Sequence, residues 1–259
     1  MRQVASVVVM AVILAAPTEV SAQGGPGFFF KRPVVSLGIR VGYSAPRTGG
    51  DLFAFTLDEF IPSGADTLSS LKFGSPYVGG ELAIHPWERW DVAVGFGWTR
   101  SRSMSEYRRW VDPGADPADP ADDLPIEQET TFQVVTGTLG AKYYLQERGR
   151  RVGSLAWVPQ KLTPFVGAGI GVASYEFVQA GDFIDTNTFE VLGDYLKSSG
   201  EGFLAYASAG ADLVLWRNAI VTAEARYSLS NAGVDGEYVG FGDVDLAGLQ
   251  LMVGMGFQF

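Results

Sequence analysis

The stretch Leu246-Ala-Gly-Leu-Gln-Leu-Met-Val-Gly-Met-Gly-Phe-Gln-Phe259 alternates in polarity from one residue to the next. Its apolar positions are Leu249, Leu251, Val253, Met255, Phe257 and Phe259. The residues between them are glycine or glutamine, apart from Met252. A period of two places the two sets on opposite faces of a β-strand. The stretch therefore predicts a strand with one apolar face that ends on an aromatic residue.

The N-terminal residues have the pattern of a secretory signal peptide. Arg2 precedes an apolar run from Val4 to Ala16, and Val20-Ser21-Ala22 then supplies a cleavage pattern before Gln23. The alternative is a membrane-spanning helix, but the run is shorter than the ~20 residues that a span requires. We expect residues 1–22 to be removed and residues 23–259 to form one domain.

Composition narrows the class of protein. The 259 residues include 33 Gly, 17 Phe, 10 Tyr and 6 Trp, which suits the closely packed walls and interfacial aromatic belts of membrane β-barrels. There is no cysteine, so disulfides and thiolate metal sites are excluded. The net charge of −10 argues against a nucleic-acid partner, because phosphate binding requires a basic surface.

Period-two segments bounded by turn residues occur eight times in the mature chain. They are Val34–Ala45, Gly74–His85, Asp91–Met104, Glu129–Leu145, Pro164–Val178, Gly202–Trp216, Ala219–Ser230 and Leu246–Phe259. Most of them reach the ~9–11 residues that a tilted strand needs to cross a bilayer. An even number of such strands predicts a closed, antiparallel, up-and-down barrel.

The connections between these segments alternate in length. Short turns are predicted at Pro86–Trp90 and Arg217-Asn218. Four long outer loops are predicted at Pro46–Phe73, Ser105–Gln128, Gln179–Glu201 and Asn231–Asp245. This is the usual asymmetry between periplasmic turns and outer loops. The connection Gln146–Thr163 departs from it, since it is long and basic where a short turn is expected.

A soluble eight-stranded barrel is the alternative fold, and the chemistry of the two strand faces separates the two possibilities. In the seventh segment, alanine, valine, tyrosine and leucine share one face, while Glu224 and Arg226 share the other. In the fifth, Val166 to Val172 alternates branched or small apolar residues with a row of glycines. A soluble barrel would have to expose that row as its surface, so the pattern favours a membrane barrel.

The mature chain resembles the small bacterial outer-membrane β-barrels related to OmpX, OmpW and the membrane domain of OmpA. The resemblance is carried by Phe259, by Pro164-Phe-Val-Gly-Ala-Gly-Ile-Gly-Val172 and by Gly140-Ala-Lys-Tyr-Tyr-Leu145. It implies an outer-membrane location, and it implies that Phe257 and Phe259 form a signal read by the barrel-insertion machinery. No peptidoglycan-binding domain follows the last strand, so an anchoring role is not implied. A fold alone does not specify a function.

Parity along the strands predicts a cluster of charges in the lumen. The inward positions include Arg40, Glu81, Lys142, Asp212, Glu224 and Arg226, three of each sign and at similar heights. An eight-stranded barrel is only just wide enough for its side chains, so opposite charges at one level are expected to pair and plug it. A narrow ion path lined by the same residues is the alternative.

Enzyme chemistry finds little support in the sequence. His85 is the only histidine, it precedes Pro86, and no serine lies at strand spacing on its face. We interpret it as a turn residue, and we expect no cofactor, haem or histidine-based metal site. The glycines around Gly167 open no helix, so they do not form a phosphate-binding loop.

Two features are predicted at the outer surface. The acidic, proline-rich run Asp112–Asp123 is expected to be extended; calcium binding is the alternative, although the prolines prevent an EF-hand geometry. Below it, four arginines accompany Trp98, Tyr107 and Trp110, and basic groups in an aromatic belt suit the phosphates of lipopolysaccharide. These arginines are Arg100, Arg102, Arg108 and Arg109. Ordinary solvation of the rim is the alternative.

Three functions follow, in order of preference. The first is a non-enzymatic, monomeric outer-membrane barrel with a structural or surface-interaction role, whose partners are membrane lipid and lipopolysaccharide. The second is a small OmpW-like channel or transporter for ions or apolar compounds. The third is a lipid-modifying enzyme. Conductance in a planar bilayer separates the first two.

Overall fold

A computed structural model of the chain describes residues 27–113, 123–154, 156–185 and 188–259. The predicted signal peptide, residues 1–22, lies outside the described residues. The helix α1 covers Asp51–Glu59. The strands are, in chain order, β1 (Val35–Pro46), β2 (Phe60–Pro62), β3 (Ser75–Ile84), β4 (Trp90–Asp112), β5 (Leu124–Tyr144), β6 (Gly149–Val152), β7 (Ala156–Pro159), β8 (Leu162–Ile184), β9 (Val191–Val214), β10 (Ala219–Ala232), β11 (Val244–Asp245) and β12 (Gly248–Gln258).

Eight of these strands close into one antiparallel ring. Going round it, β1 pairs with β3, and β4, β5, β8, β9, β10 and β12 follow until β12 returns to β1. The closing seam runs the full length of β1, from Ser36 opposite Gln258 to Pro46 opposite Gly248. Because every strand has two neighbours, the wall has no open edge. The predicted eight-stranded, up-and-down transmembrane β-barrel is confirmed.

The outer wall of the barrel is apolar. Ile39 on β1, Val94 on β4 and Phe203 on β9 are 69%, 56% and 65% exposed, and comparable side chains follow on all eight strands. A continuous apolar band of this kind would be unfavourable in water and is suited to lipid. Trp87, Trp90 and Trp216 lie exposed at one end of the band, and Trp98 lies near the other. Within the described residues, no helix is long and apolar enough to cross a membrane.

Four strands extend further beyond the band than predicted. β4 pairs with β5 as far as Asp112 opposite Leu124, with an irregular register between Glu106 and Val111. β8 pairs with β9 as far as Ile184 opposite Val191. The outer loops predicted at Ser105–Gln128 and Gln179–Glu201 are therefore largely β-hairpin. Most of the acidic run within Asp112–Asp123 lies outside the described residues.

The first outer connection folds into the mouth of the barrel. Its helix α1 buries Leu52, Phe53 and Thr56, and Phe53 has no exposed surface. The ring of Phe53 packs against Phe73, Phe132 and Phe177, with centroid distances of 5.1, 5.2 and 6.1 Å. These rings, together with Tyr175, Leu204 and Tyr238, form the main apolar core. In this article they are called the aromatic plug.

The long connection Gln146–Thr163 forms a second small sheet at the opposite end. β6 pairs with β7, from Gly149 opposite Pro159 to Val152 opposite Ala156. The backbone of Phe29 adds to this hairpin through two 2.8 Å hydrogen bonds with Trp157, one in each direction. A crevice between the small sheet and the barrel is lined by Arg32, Trp87, Arg148, Trp157 and Gln258, among others. The hairpin, together with residues 27–31, is called the periplasmic cap below.

Candidate functional site in the barrel lumen

The middle of the lumen holds a network of buried charges that project from four strands. Arg40 projects from β1, Glu81 from β3, Lys142 from β5, and Glu224 and Arg226 from β10. The side chains of Arg40, Lys142 and Arg226 are each 7% exposed, while those of Glu81 and Glu224 are 10% and 1% exposed. Each of them occupies an inward position of its strand, opposite the apolar residues of the outer wall. These five residues are called the charge network.

Glu224 is the centre of this network. Its carboxylate accepts hydrogen bonds from Arg40 at 2.7 Å and Arg226 at 2.9 Å, and Nζ of Lys142 lies 3.9 Å away. Glu81 forms the other junction: it pairs with Arg40 at 2.5 Å and with Lys142. Arg40 and Lys142 therefore each bridge the two carboxylates. Such a network is stable only as a unit, because removing one member leaves the others buried and uncompensated.

Aromatic rings and glycines hold the charge network in place. The guanidinium of Arg226 lies 4.3 Å from the ring centre of Tyr206, and Nζ of Lys142 lies 5.0 Å from that of Phe165, both within cation–π range. The Tyr206 ring lies over the inward face of β5 and β8. A Cβ built on Gly140 would lie 2.0 Å from its hydroxyl, and one on Gly169 would lie 2.5 Å from its ring. The glycine rows of these strands therefore make room for the ring that supports Arg226.

The structure does not bring Asp212 into the charge network. In the register of β9 and β10, Asp212 is opposite Thr222, whereas Glu224 is opposite Gly210. Asp212 therefore lies closer to the short-turn end than predicted, by one lumen-facing residue. The strands are tilted, so residues at the same distance from the ends of two strands lie at different heights in the barrel. It accepts hydrogen bonds from Thr222 at 2.6 Å and from the hydroxyl of Tyr144 at 2.7 Å. The expectation that six charges lie at one height is corrected to five.

Asp212 belongs to a second polar layer at the floor of the lumen, together with His85, Asp91, Tyr144 and Arg148. The Tyr144 hydroxyl lies 2.9 Å from Asp91, and Arg148 donates to Asp91 at 3.1 Å. Nδ1 of His85 lies 2.7 Å from Oδ1 of Asp91, although neither ring nitrogen meets hydrogen-bond geometry within the described residues. We call these five residues the floor layer. The two layers together hold four cationic side chains and four carboxylates, in addition to His85.

Sequence reasoning missed three members of the floor layer. Asp91 lies at the start of a predicted strand, two residues before the lumen-facing Ala93 and therefore on the same face. The alternation of the strand was enough to predict that Asp91 faces the lumen. Tyr144 has the inward parity of Lys142, but a tyrosine carries no charge to mark it. Arg148 was not detectable, because it lies beyond β5 in the cap, where alternation gives no information. His85 does lie at the predicted turn, but it is 1% exposed and faces the lumen.

Arg148 connects the periplasmic cap to the barrel floor. Its side chain is 11% exposed, and its guanidinium lies 4.9 Å from the ring centre of Tyr144. Burial alone would lower the pKa of Arg148, but Tyr144, Asp91 and Asp212 outweigh it and raise that pKa above the ordinary arginine value. The arginine therefore remains charged. Arg32 fastens the other part of the cap, donating to the carbonyls of His85 at 2.7 Å and Pro86 at 3.0 Å.

The aromatic plug is fastened at the outer end by a different arginine. Arg108 on β4 donates to the carbonyls of Leu57 at 2.8 Å and Asp58 at 2.9 Å, which belong to the last turn of α1, and also to Thr67. Carbonyls at a helix C-terminus lack partners within the helix, so Arg108 caps α1. Tyr238 closes the plug from the fourth outer connection, donating to Gln179 at 2.6 Å. Burial raises the pKa of Tyr238, so its hydroxyl remains a donor.

Little space remains between the aromatic plug and the charge network. A cavity of about 30 Å³ lies there, lined by residues that include Tyr77, Thr99, Phe132, Thr136 and Gln250. A buried water needs roughly 10–15 Å³ on this measure, so the cavity accommodates about two or three waters. Its lining is partly hydroxylic and partly aromatic, and it offers no charged group.

The four rim arginines occupy different environments. Arg100 and Arg102 continue the outward face of β4 above Trp98 and are exposed, and Arg102 pairs with Glu129. Arg109 pairs with Asp58 at 3.0 Å and is also exposed. Arg108 is engaged by the loop carbonyls described above, so its guanidinium is not free to hold a phosphate. Phe257 and Phe259 are 50% and 64% exposed at the opposite end of the wall.

No protein-family model matches the chain, and no curated protein matches its sequence. Among solved structures, the chain is similar to the outer membrane protein OprG from Pseudomonas aeruginosa, at 14% identity and a TM-score of 0.46, covering 89% of this chain and 99% of that one. Neisserial surface protein A is similar at 12% identity and a TM-score of 0.42, covering 90% and 99%. The outer membrane protease OmpT from Escherichia coli is similar at 11% identity and a TM-score of 0.43, covering 90% and 98%. At these values function has to be inferred from the residues of this chain.

Proposed function

We propose that this chain is a non-enzymatic, monomeric outer-membrane barrel that keeps its lumen closed and acts through its outer surface. One observation carries the proposal: the lumen is filled at three heights, by the aromatic plug, the charge network and the floor layer. The charge network consists of side chains from four strands, so it cannot leave without disturbing the wall, whereas α1 inserts Phe53 into the plug from a connection. A barrel built to conduct would leave a continuous polar path through these heights.

The charge network argues most strongly for closure. Water entering between Arg40 and Glu224 would have to separate a 2.7 Å pair whose carboxylate is 1% exposed. Separating buried, mutually bonded charges is strongly unfavourable unless water hydrates both of them fully. Two cavities of about 30 Å³ each lie nearby, one lined by Arg40 and Glu81 among others and one between the network and the aromatic plug. Each holds about two or three waters, which is too few for that.

The surface role is supported by the outer extensions. β4, β5, β8 and β9 all continue past the apolar band, and their tips expose Trp110, Phe189 and Tyr195, which are 43%, 65% and 56% exposed. Exposed aromatic side chains are suited to contacts with other molecules. His85 is buried against Asp91, out of reach of a substrate, and this supports a role without catalysis.

Single-channel recording in planar bilayers tests closure. We expect no conductance from the purified wild-type barrel or from the single variants Phe53→Ala and Glu224→Gln, because each single variant keeps two of the three fillings. The double variant Phe53→Ala/Glu224→Gln should conduct intermittently. Steady conductance by the wild-type barrel that changes in Glu224→Gln would replace this proposal with the OmpW-like channel.

Three expectations about partners and processing accompany the proposal. Cleavage after Ala22 should leave Gln23 as the first residue, and the intact mass of protein extracted from outer membranes tests this. Arg100, Arg102 and Arg109 are proposed to contact lipopolysaccharide phosphates, and Arg108 is proposed to hold α1 instead. Phe257 and Phe259 are proposed to contact the barrel-insertion machinery, so substituting both with alanine should lower the amount of folded, heat-modifiable barrel in cells more than refolding in detergent.

A further inference from the structure

The periplasmic rim of the barrel is basic, in contrast to the acidic outer connections. Among the described residues outside the strands of the barrel, the basic side chains at this end are Lys31, Arg32, Arg89, Arg148, Arg150, Arg151, Lys161 and Arg217. Only Glu88 and Glu147 oppose them. Arg32 and Arg148 are engaged in fastening the cap, as described above. The other six are exposed or partly exposed; of these, Arg89 pairs with Glu147 at 3.9 Å and Arg217 donates to the side-chain carbonyl of Asn218 at 2.9 Å.

Three of these basic residues lie on the rim itself, beside exposed indole rings. Arg89 lies between Trp87 and Trp90, which are 64% and 46% exposed and flank a shallow surface depression. The carbonyl of Arg89 accepts a 2.8 Å hydrogen bond from the Tyr144 amide, and the ring of Trp90 packs on Tyr143 at a centroid distance of 5.0 Å, so the backbone of Arg89 is fixed at the belt. Its guanidinium lies 3.9 Å from the carboxylate of Glu147.

Lys161 and Arg217 form a second such group around Trp216, which is 64% exposed. The carbonyl of Lys161 accepts a 2.8 Å hydrogen bond from the Val214 amide, which places Lys161 next to the end of β9. Arg217 follows Trp216 directly, and its guanidinium lies 5.9 Å from the ring centre of Phe29 in the cap. Both residues therefore lie near Trp216 at the lower edge of the apolar wall.

We propose that this rim binds the anionic headgroups of phospholipids in the periplasmic leaflet of the membrane. Indole rings favour the interface between hydrocarbon and headgroups, so they set the height of the neighbouring basic groups. Clusters of Lys and Arg immediately beside a membrane-spanning segment attract anionic headgroups. The partner is a lipid surface, because the basic groups surround the edge of an apolar wall and do not line an enclosed pocket. This inference rests on the proposed function in one respect, the orientation that places the short turns in the periplasm. It does not depend on a closed lumen.

Electron spin resonance of spin-labelled lipids tests the proposal directly. The barrel is reconstituted in phosphatidylcholine, and the fraction of motionally restricted label is compared for phosphatidylglycerol and phosphatidylcholine. The wild-type barrel should select phosphatidylglycerol by severalfold, and the selection should weaken in high salt because exposed charges are screened. Each rim charge contributes up to about fivefold at the lipids that it contacts.

Two variants make the test specific. Arg89→Gln/Lys161→Gln/Arg217→Gln should bring the selectivity close to one, whereas Arg89→Lys/Lys161→Arg/Arg217→Lys should retain it. The matched control is Arg47→Gln/Lys72→Gln, which removes two exposed basic groups from the first outer connection and should leave the selectivity unchanged. Equal loss in the control and the triple glutamine variant would overturn the proposal, since any exposed basic group would then suffice. The absence of selectivity in the wild-type barrel would also overturn it.

Discussion

The two halves of the lumen are packed with side chains of opposite chemistry. In the outer half, α1 inserts Phe53 among phenylalanine rings, and among the described residues the core of the plug is apolar. In the lower half, Arg40, Glu81, Lys142, Glu224 and Arg226 meet with side chains that are at most 10% exposed. The outer filling comes from a connection between strands, whereas the inner one comes from the strands themselves.

This difference determines how each half should respond to change. An apolar plug loses contacts in proportion to the side chain removed, and α1 can detach while the wall remains intact. A buried network loses far more than one contact, because its remaining charges stay in the barrel without partners. Damage to the charge network should therefore destabilise the whole barrel, while damage to the plug should be local.

The largest effect is expected for Glu224→Ala. Glu224 is the shared partner of Arg40, Lys142 and Arg226, and its loss leaves Glu81 as the only carboxylate facing three cations. We expect a loss of about 3–5 kcal/mol in the free energy of unfolding, as for other broken buried pairs. Urea unfolding in detergent, followed by tryptophan fluorescence, measures it.

Arg226→Ala is the matched comparison within the same network, and it should cost less. Glu224 then keeps Arg40 and Lys142, and Asp212 loses nothing because its partners are Thr222 and Tyr144. If both variants unfold at the wild-type urea midpoint, the charges are hydrated and the lower half of the lumen is open.

Phe53→Ala should have a large but local effect. Removing a fully buried phenylalanine costs about 3–5 kcal/mol of packing energy, here mostly from the seating of α1. We expect limited proteolysis to cut between Gly49 and Pro62, while the urea midpoint of the wall moves little. Phe55→Ala, on the same helix but 43% exposed, should remain resistant. A shift in midpoint as large as that of Glu224→Ala would mean that the two halves unfold as one unit.

Arg148→Ala should release the periplasmic cap. Asp91 keeps Tyr144 and His85, so we expect a loss of about 1–3 kcal/mol, the usual range for a removed hydrogen-bond partner of a buried group. Amide hydrogen exchange should rise in residues 149–159 and remain unchanged in the aromatic plug. Arg150→Ala, on the same hairpin but exposed, is the control and should leave exchange unaltered. Unchanged exchange in Arg148→Ala would show that Phe29 and Trp157 hold the cap without it.

The smallest effect is expected for Arg102→Gln. Its pair with Glu129 lies on the solvent-exposed side of the rim, where screening and side-chain entropy cancel most of the attraction. We expect no measurable shift in the urea midpoint, in contrast to Arg226→Ala, which removes the same type of pair from the lumen. A clear shift in the urea midpoint of Arg102→Gln would mean that the Arg102–Glu129 pair is as poorly solvated as the pairs in the lumen. The distinction between exposed and buried pairs would then be wrong.

Much of the wall could be predicted from the chain because lipid and lumen impose opposite chemistry on alternate residues. Val221, Ala223 and Ala225 are predicted to face outward for that reason, and in the structure they lie opposite the exposed Met255, Val253 and Leu251 of β12. The strand prediction failed where the two faces of a strand have the same surroundings. From Ser105 to Asp112, β4 lies beyond the apolar band, the alternation fades, and this part of the strand was predicted to be loop.

The sequence by itself determined that the strands form a barrel and which side chains point inward, since both follow from a period of two. Only the tertiary structure decided which inward groups meet. The partners of a side chain across the lumen depend on strand tilt and register. Because of them, Asp212 contacts Thr222 and Tyr144. Glu224 pairs instead with Arg40, Lys142 and Arg226. Arg148 and Phe53 reach the lumen from connections outside the wall. No local pattern marks such a side chain, because its position is set by the packing of distant segments.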